Sequence, residues 1–225
     1  MRQLLLALVL PISLVGRASA QQDTTPGDTQ FRPSFEVKVP VVPMVDLRLT
    51  GQLRVGENVT RLAEERTGIG VIIKPARFLE VEPFYLFADA QPDPGRSERE
   101  HRFGIDLTPQ AQFRGFAFSD RNRYEHREIG DRRDASHRSS SRYRNRPRIE
   151  HPISLSARRL DLYVQDEIYY DRDFRAWTRN EFALGGILPF SRRLELELYY
   201  MRRNDGRSRP GDLHIIGSVL RISFR

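Results

Sequence analysis

Leu194-Glu195-Leu196-Glu197-Leu198-Tyr199-Tyr200 alternates apolar and polar residues with a period of two. Leu194, Leu196, Leu198 and Tyr200 form one face, and Glu195, Glu197 and Tyr199 form the other. Successive side chains point to opposite sides only in an extended chain, so the stretch reads as a strand with one apolar and one charged surface. Arg159 to Glu167 repeats the pattern, with Leu160, Leu162 and Val164 opposite Asp161, Tyr163, Gln165 and Glu167. Val45, Leu47, Leu49, Gly51 and Leu53 alternate in the same way with Asp46, Arg48, Thr50, Gln52 and Arg54. Beyond the first twenty residues no helical periodicity is evident.

From Met44 onward the alternation divides into ten stretches, near 44–55, 66–74, 78–89, 99–109, 114–129, 138–150, 158–169, 178–188, 193–203 and 212–224. Short connections fall near Pro75 to Arg77, Pro109 to Phe113 and Pro189 to Arg192. Longer polar ones fall near 56–65, 90–98, 130–137, 170–177 and 204–211, and 151–157 is a long exception among the short set. Short turns on one side and long loops on the other are the pattern of outer-membrane barrels. The expected fold is all-β: an antiparallel up-and-down transmembrane β-barrel of about ten strands. An even count places both termini on the short-turn, periplasmic side.

The ends of the chain set its destination. Arg2 precedes an apolar run from Leu4 to Val15, and Ala18-Ser19-Ala20 is a small-x-small cleavage site. Residues 1–20 are therefore expected to be a cleaved signal peptide, since the run is shorter than the roughly 20 residues that span a bilayer. Residues 21–43 read as a flexible lead, with 35–42 as the one candidate for a further strand, and 44–225 as the barrel. Ile216, Ser218, Leu220, Ile222 and Phe224 form one face of the last strand, and Gly217, Val219, Arg221, Ser223 and Arg225 the other. A terminal amphipathic strand with an aromatic near its end resembles the signal that hands barrel proteins to the insertion machinery; here Arg225 follows the aromatic.

Composition narrows the classes. The charged fraction is 30% and the hydrophobic fraction 39%, too polar for a helical membrane protein but compatible with barrel strands that are polar on one face. There is no cysteine, which excludes disulfides and a lipidated N-terminal cysteine. Net charge is +7, and of 37 basic residues only Lys38 and Lys74 are lysine. Arginine at that density invites a nucleic-acid reading. Export argues against it, and the arginines are interleaved with Glu and Asp at strand spacing, where they form bidentate pairs with carboxylates. The competing fold is a soluble β-sandwich or lipocalin-like barrel with its apolar face inward, and alternation alone does not separate the two. Alternating loop lengths, the terminal strand and the two-signed charged face favour the membrane barrel.

With apolar faces toward lipid, the charged faces fill the lumen. Glu80 and Glu82 come from the third stretch, Arg121, Arg123, Glu125 and Arg127 from the fifth, and Arg142, Arg144, Arg146, Arg148 and Glu150 from the sixth. Asp161, Glu167, Glu181, Glu195 and Glu197 supply carboxylates from the seventh to the ninth. About eight strands leave room only for side chains or one small ligand, and about sixteen leave a channel. A ten-strand tube lined this way is expected to be plugged by an Arg–carboxylate network, well paired because a lone buried charge is costly.

Asn122-Arg123-Tyr124-Glu125-His126-Arg127, Ser141-Arg142-Tyr143-Arg144 and Asn180-Glu181-Phe182, with the amphipathic last strand, carry a resemblance. Over Met44 to Arg225 the chain resembles a domain-of-unknown-function family of bacterial outer-membrane β-barrel proteins with repeated Glu-x-Arg strands. The resemblance implies fold and location and no activity.

Catalytic signals are sparse. His151-Pro152-Ile153-Ser154 and Asp134-Ala135-Ser136-His137 place a Ser near a His, the pairing a hydrolase would need, and neither G-x-S-x-G nor H-E-x-x-H occurs. No catalytic residue, metal site or cofactor is expected. The leading expectation is a structural or interaction barrel in the outer membrane. The alternatives are a narrow pore for a small solute and a lipid- or peptide-cleaving hydrolase. Expected partners are outer-membrane lipid, the insertion machinery, and lipopolysaccharide phosphates at Arg96, Arg132, Arg133 and Arg172.

Overall fold

The computed structural model describes residues 27–91, 97–131, 137–155, 158–207 and 211–224. The expected signal peptide with its cleavage near Ala20, the loop residues Arg96, Arg132, Arg133, Asp134 and Ser136, and Arg225 lie outside the described residues.

Among the described residues, eleven strands close into one barrel. They are β1 (Asp28–Val42), β2 (Val45–Gly56), β3 (Arg61–Ala76), β4 (Leu79–Ala90), β5 (Glu98–Phe113) and β6 (Phe116–Asp131). After these come β7 (His137–Leu155), β8 (Arg158–Asp171), β9 (Ala176–Pro189), β10 (Leu194–Asp205) and β11 (Asp212–Ser223). The ten expected stretches correspond to β2 through β11.

The addition is β1. Part of the stretch expected as a flexible lead is a fifteen-residue strand, more than the 35–42 segment singled out in the sequence. Neighbours in sequence pair antiparallel, so with eleven strands the first and last must run parallel where the barrel closes. Asp28 pairs with Leu213 and Lys38 with Ser223. The expectation that both ends of the barrel lie on the short-turn side is thus corrected: β1 starts at the opposite rim, beside the start of β11. Asp28 also ties that start to the β2–β3 connection, accepting from the backbone N–H groups of Glu57 (3.1 Å) and Asn58 (2.6 Å).

The prolines that disguise β1 are tolerated for local reasons. Pro40 sits where the β1–β2 register shifts, and a proline cannot donate to a regular ladder. Ser34 Oγ donates to the carbonyl of Ser218 (2.8 Å), a side-chain bond across the parallel seam beside Pro33. Prolines also hid the end of β7. That strand runs through Pro147 and Pro152 to Leu155, so the long connection expected over 151–157 shrinks to residues 156–157.

This restores the alternation of rims. One rim carries the connections 43–44, 77–78, 114–115, 156–157 and 190–193, and the other carries 57–60, 91–97, 132–136, 172–175 and 206–211. Arg114 and Gly115 both have positive φ, 49° and 83°, the two-residue hairpin turn whose twist matches the strands it joins.

The alternation resolves inside from outside. Leu49, Ile69, Phe103, Leu107, Leu162, Leu184, Leu198 and Ile216 are exposed on the outer face, with Leu198 at 56%. Asp46, Glu64, Glu82, Arg102, Asp106, Arg123, Glu125 and Glu167, at inward positions, are buried. A soluble barrel would show the reverse. Large aromatics cluster at the ends of the apolar band: Phe78, Phe113, Phe116 and Phe190 toward one rim, and Phe174 and Trp177 toward the other. Such girdles suit the two interfaces of a bilayer.

Candidate functional site: the charged lumen

The inward positions of all eleven strands converge on one cavity of about 480 Å³. Its wall is built by parity: on β7, residues two apart place Arg142, Arg144, Arg146 and Arg148 in one inward column. Facing carboxylates neutralise most of it. Arg123 makes a two-pronged contact with Asp106, Nε to Oδ1 2.6 Å and Nη2 to Oδ2 2.7 Å. Arg142 holds Asp171 (2.7 Å), Arg203 holds Glu181 (2.7 Å), and Arg54 holds Glu64 (2.8 Å). Glu125, fully buried, lies 3.5 Å from Arg144 and 4.0 Å from Arg142.

Several pairs skip one or two strands and so bridge across the curved wall. Arg48 on β2 reaches Glu82 on β4 (2.5 Å), and Arg102 on β5 reaches Glu64 on β3 (3.9 Å). Arg121 on β6 reaches Glu167 on β8 (2.5 Å), and Arg148 on β7 lies 3.8 Å from Glu197 on β10. The chord to Glu82 passes over Gly70, where any Cβ would collide with the Glu82 carboxylate.

Aromatic rings fill the space above three other inward glycines. Phe84 lies over Gly104, Tyr163 over Gly185 and Tyr199 over Gly217, each ring covering its own register partner. A ring that covers a facing glycine in this way is a known stabiliser of sheets. Guanidiniums then stack on two of these rings: Arg123 is 4.1 Å from the Phe84 centroid and Arg148 3.6 Å from that of Tyr163. Each such contact contributes roughly 0.5–2 kcal/mol. The Tyr163 hydroxyl donates to Glu197, which also receives Arg221.

All sixteen expected lumen residues lie on the inward parity of their strands. Glu82, Arg121, Arg123, Glu125, Arg127, Arg142, Arg144, Arg148, Glu150, Glu167, Glu181 and Glu197 are in ion pairs, Arg127 with Glu100 and Arg148 with Glu150 (2.9 Å) among them. Asp161 pairs with Arg159 (2.6 Å) at the rim. Glu80 and Glu195, also near the short-turn rim, and Arg146 in the cavity wall make no ion pair within 4.0 Å among the described residues.

Many equivalent residues were missed in the sequence: Arg32, Glu64, Arg66, Glu100, Arg102, Asp106, Asp171, Arg179, Arg203 and Asp205, while Arg48, Arg54 and Arg221 were placed on polar strand faces without being singled out for the lumen. The signal was present. Extending the period of two along β5 links Glu98, Glu100, Arg102 and Asp106, but Gly104 interrupts the column. The lining is also not charged throughout. Ala183, Met201, Leu213 and Ile215 pack with Tyr199 into an apolar sector on β9 to β11.

The outer face carries a polar sector on β6 to β9. Asn145 donates to Asp120 (2.7 Å) and Asn122 (3.1 Å), the Tyr143 hydroxyl donates to Asn122 (2.5 Å), and Asn180 donates to Asp166 (2.6 Å). His126 Nδ1 and Ser141 Oγ are 3.2 Å apart beside it. The pairing of His151 with Ser154 is corrected: three positions apart on β7, they project to opposite faces, and His151 stacks on Phe116 with centroids 4.4 Å apart. His137 opens β7, and its expected partners lie outside the described residues.

Among solved structures, the chain is similar to LpxR from Salmonella typhimurium, with a TM-score of 0.53 at 9% identity over 84% of this chain and 87% of that one. A NanC porin structure in a rhombohedral crystal form gives 0.48 at 12% identity, over 86% and 96%. No curated protein matches by sequence. The fold is that of an outer-membrane β-barrel. The model of the family described as "Protein of unknown function (DUF2490)" matches residues 30–213, and the chain belongs to that family.

Proposed function

We propose that this protein is an integral outer-membrane barrel with a structural or interaction role, its lumen closed to bulk solute by Arg–carboxylate pairs. The observation that carries this reading is the set of strand-skipping chords, Arg48–Glu82, Arg102–Glu64 and Arg121–Glu167. Each holds two long side chains inside a tube only eleven strands around, near the filled end of the barrel series. Interaction then falls to the outer face and the rims. There Arg172, exposed in the β8–β9 connection, is available to lipopolysaccharide phosphates, and the outer apolar band to lipid.

The test is conductance of the refolded protein in planar bilayers. A closed barrel leaves the baseline current unchanged at physiological salt. Steady unitary steps would overturn the reading and favour the narrow pore, for which the arginine-lined cavity of about 480 Å³ is the supporting observation.

A further inference from the structure

Arg146 stands in the middle of the inward arginine column of β7, between Arg144 and Arg148. Both neighbours are neutralised. Arg144 holds Glu167 (2.9 Å), and Arg148 holds Glu150 (2.9 Å) and Gln165 (3.3 Å). Across the β6–β7 ladder, the direct register partner of Arg146 is Arg121, another cation. Like charges directly opposite one another on a sheet are destabilising. Arg121 is relieved by Glu167 at 2.5 Å. Glu167 is thereby already shared between Arg121 and Arg144, and it also accepts from the Tyr169 hydroxyl (3.3 Å).

Arg146 is left without a carboxylate at ion-pair distance, since Glu167, already shared, acts on it only from farther away. It makes no ion pair within 4.0 Å among the described residues, and its Nε is buried with no hydrogen-bond partner. The side chain lines the cavity, whose wall carries more arginines than carboxylates. That cavity lies within the roughly 300–1,000 Å³ range of small-ligand sites. Its lining extends to Ala90 and Glu98, at the ends of β4 and β5 on the long-connection rim. An unpaired cation held inside a barrel is costly unless an anion joins it.

We propose that Arg146, with Arg121 and Arg148 beside it, forms a lumen site for a small phosphoryl-bearing solute. A guanidinium presents paired N–H donors in a planar fork that matches phosphate oxygens. A phosphate monoester near neutral pH carries a charge of about −1.5 to −2, suited to a cluster with surplus positive charge where a lone carboxylate is not. The inference goes beyond a closed barrel. It needs a bound anion and no through-passage, so conductance and binding fail separately.

The experiment is calorimetric titration of the full, detergent-folded chain with inorganic phosphate, at ionic strength fixed by sodium chloride and with acetate as the comparison. Saturable one-site binding of phosphate, at least tenfold tighter than acetate, is expected. Arg146→Gln should weaken it at least tenfold, Arg146→Lys should weaken it less, and Arg192→Gln in the β9–β10 turn should leave it unchanged. Without phosphate, Arg146→Gln should unfold at no lower urea concentration than the parent protein, because no ion pair is lost. With phosphate it should lack the parent's upward shift. No saturable heat, equal binding of acetate, or undiminished binding by Arg146→Gln would overturn the site. Marked destabilisation of Arg146→Gln without phosphate would overturn it equally, assigning the residue a structural role.

Discussion

Tyr163 on β8 lies flat across Gly185 on β9, its register partner, so closely that a Cβ on the glycine would come 2.6 Å from the ring. The absent side chain lets the ring lean along the wall toward Glu197 on β10 while Arg148 stacks on it. Gly185→Ala should therefore force the ring off its seat and destabilise the barrel by about 1–3 kcal/mol, the usual range for overpacking. Gly206→Ala, with nothing within 4 Å of its Cβ position, should be near neutral. Urea unfolding of the refolded barrel compares the two.

The ring and the hydroxyl of Tyr163 have separable roles. Tyr163→Phe keeps the cover over Gly185 and removes only the donor to Glu197, which retains Arg221. A loss of about 1.5–3 kcal/mol is expected, since the acceptor is charged. Tyr163→Ala removes the cover and the stacking surface together, and about 3–5 kcal/mol is expected from a buried aromatic truncation. Equal losses in the two variants would show that the seat on Gly185 contributes nothing.

Glu167 serves two arginines on different strands, so its neutralisation leaves Arg144 with only Glu125 at 3.5 Å and Arg121 with only Asp106 at 4.0 Å. Glu167→Gln should destabilise by about 3–5 kcal/mol, as for breaking a buried pair from one side. Glu150→Gln removes a carboxylate with 30% side-chain exposure and one partner, and should cost under about 1 kcal/mol. Denaturation midpoints in matched detergent read the contrast.

Asn145 supplies a donor to Asp120 on the outer face (2.7 Å). Asn145→Ala leaves that carboxylate with Asn122 alone at 3.2 Å. Where water is scarce an unmet polar group costs about 1–3 kcal/mol. The loss should be larger in bilayers than in detergent micelles, which admit more water; the same unfolding measurement in both media checks it.

Deletion of residues 28–42 removes the strand that pairs with both β2 and β11. The barrel would be left with two unpaired edges, which a bilayer does not tolerate. The truncated chain is expected to lose the folded band that migrates differently before and after boiling. Persistence of that band would mean that β2 and β11 can close without β1.

The strands from Met44 onward were legible because period-two alternation is local, written within seven residues at Leu194 to Tyr200. Two elements were not. Pro40 in β1 and Pro43 just past its end read as interruptions, yet the strand is held by partners on both sides, one of them nearly two hundred positions away. In β7, residues 151–157 read as a long connection, though the ladder to β8 runs past Pro152 to Leu155. Proline forbids one backbone donor, and whether that donor is needed depends on a neighbouring strand that the local sequence does not contain.

The lumen residues were legible as columns and not as pairs. Glu125 and Arg144 are on matched parities, which the sequence states, but the sharing of Glu167 by Arg121 and Arg144 follows from register and curvature. So does the isolation of Arg146, which looks identical to its neighbours in the alternating run Arg142 to Arg148.

By itself the sequence determined that the chain from Met44 onward is all-β, that each strand has one apolar and one charged face, and that the charged faces carry both signs in abundance. Alternation is a property of the extended backbone, so residue order is enough to state it. Only the tertiary structure decided which face looks inward, that an eleventh strand closes the barrel in parallel, and which cations have partners. Those depend on closure, because inside and outside exist only once the first and last strands meet.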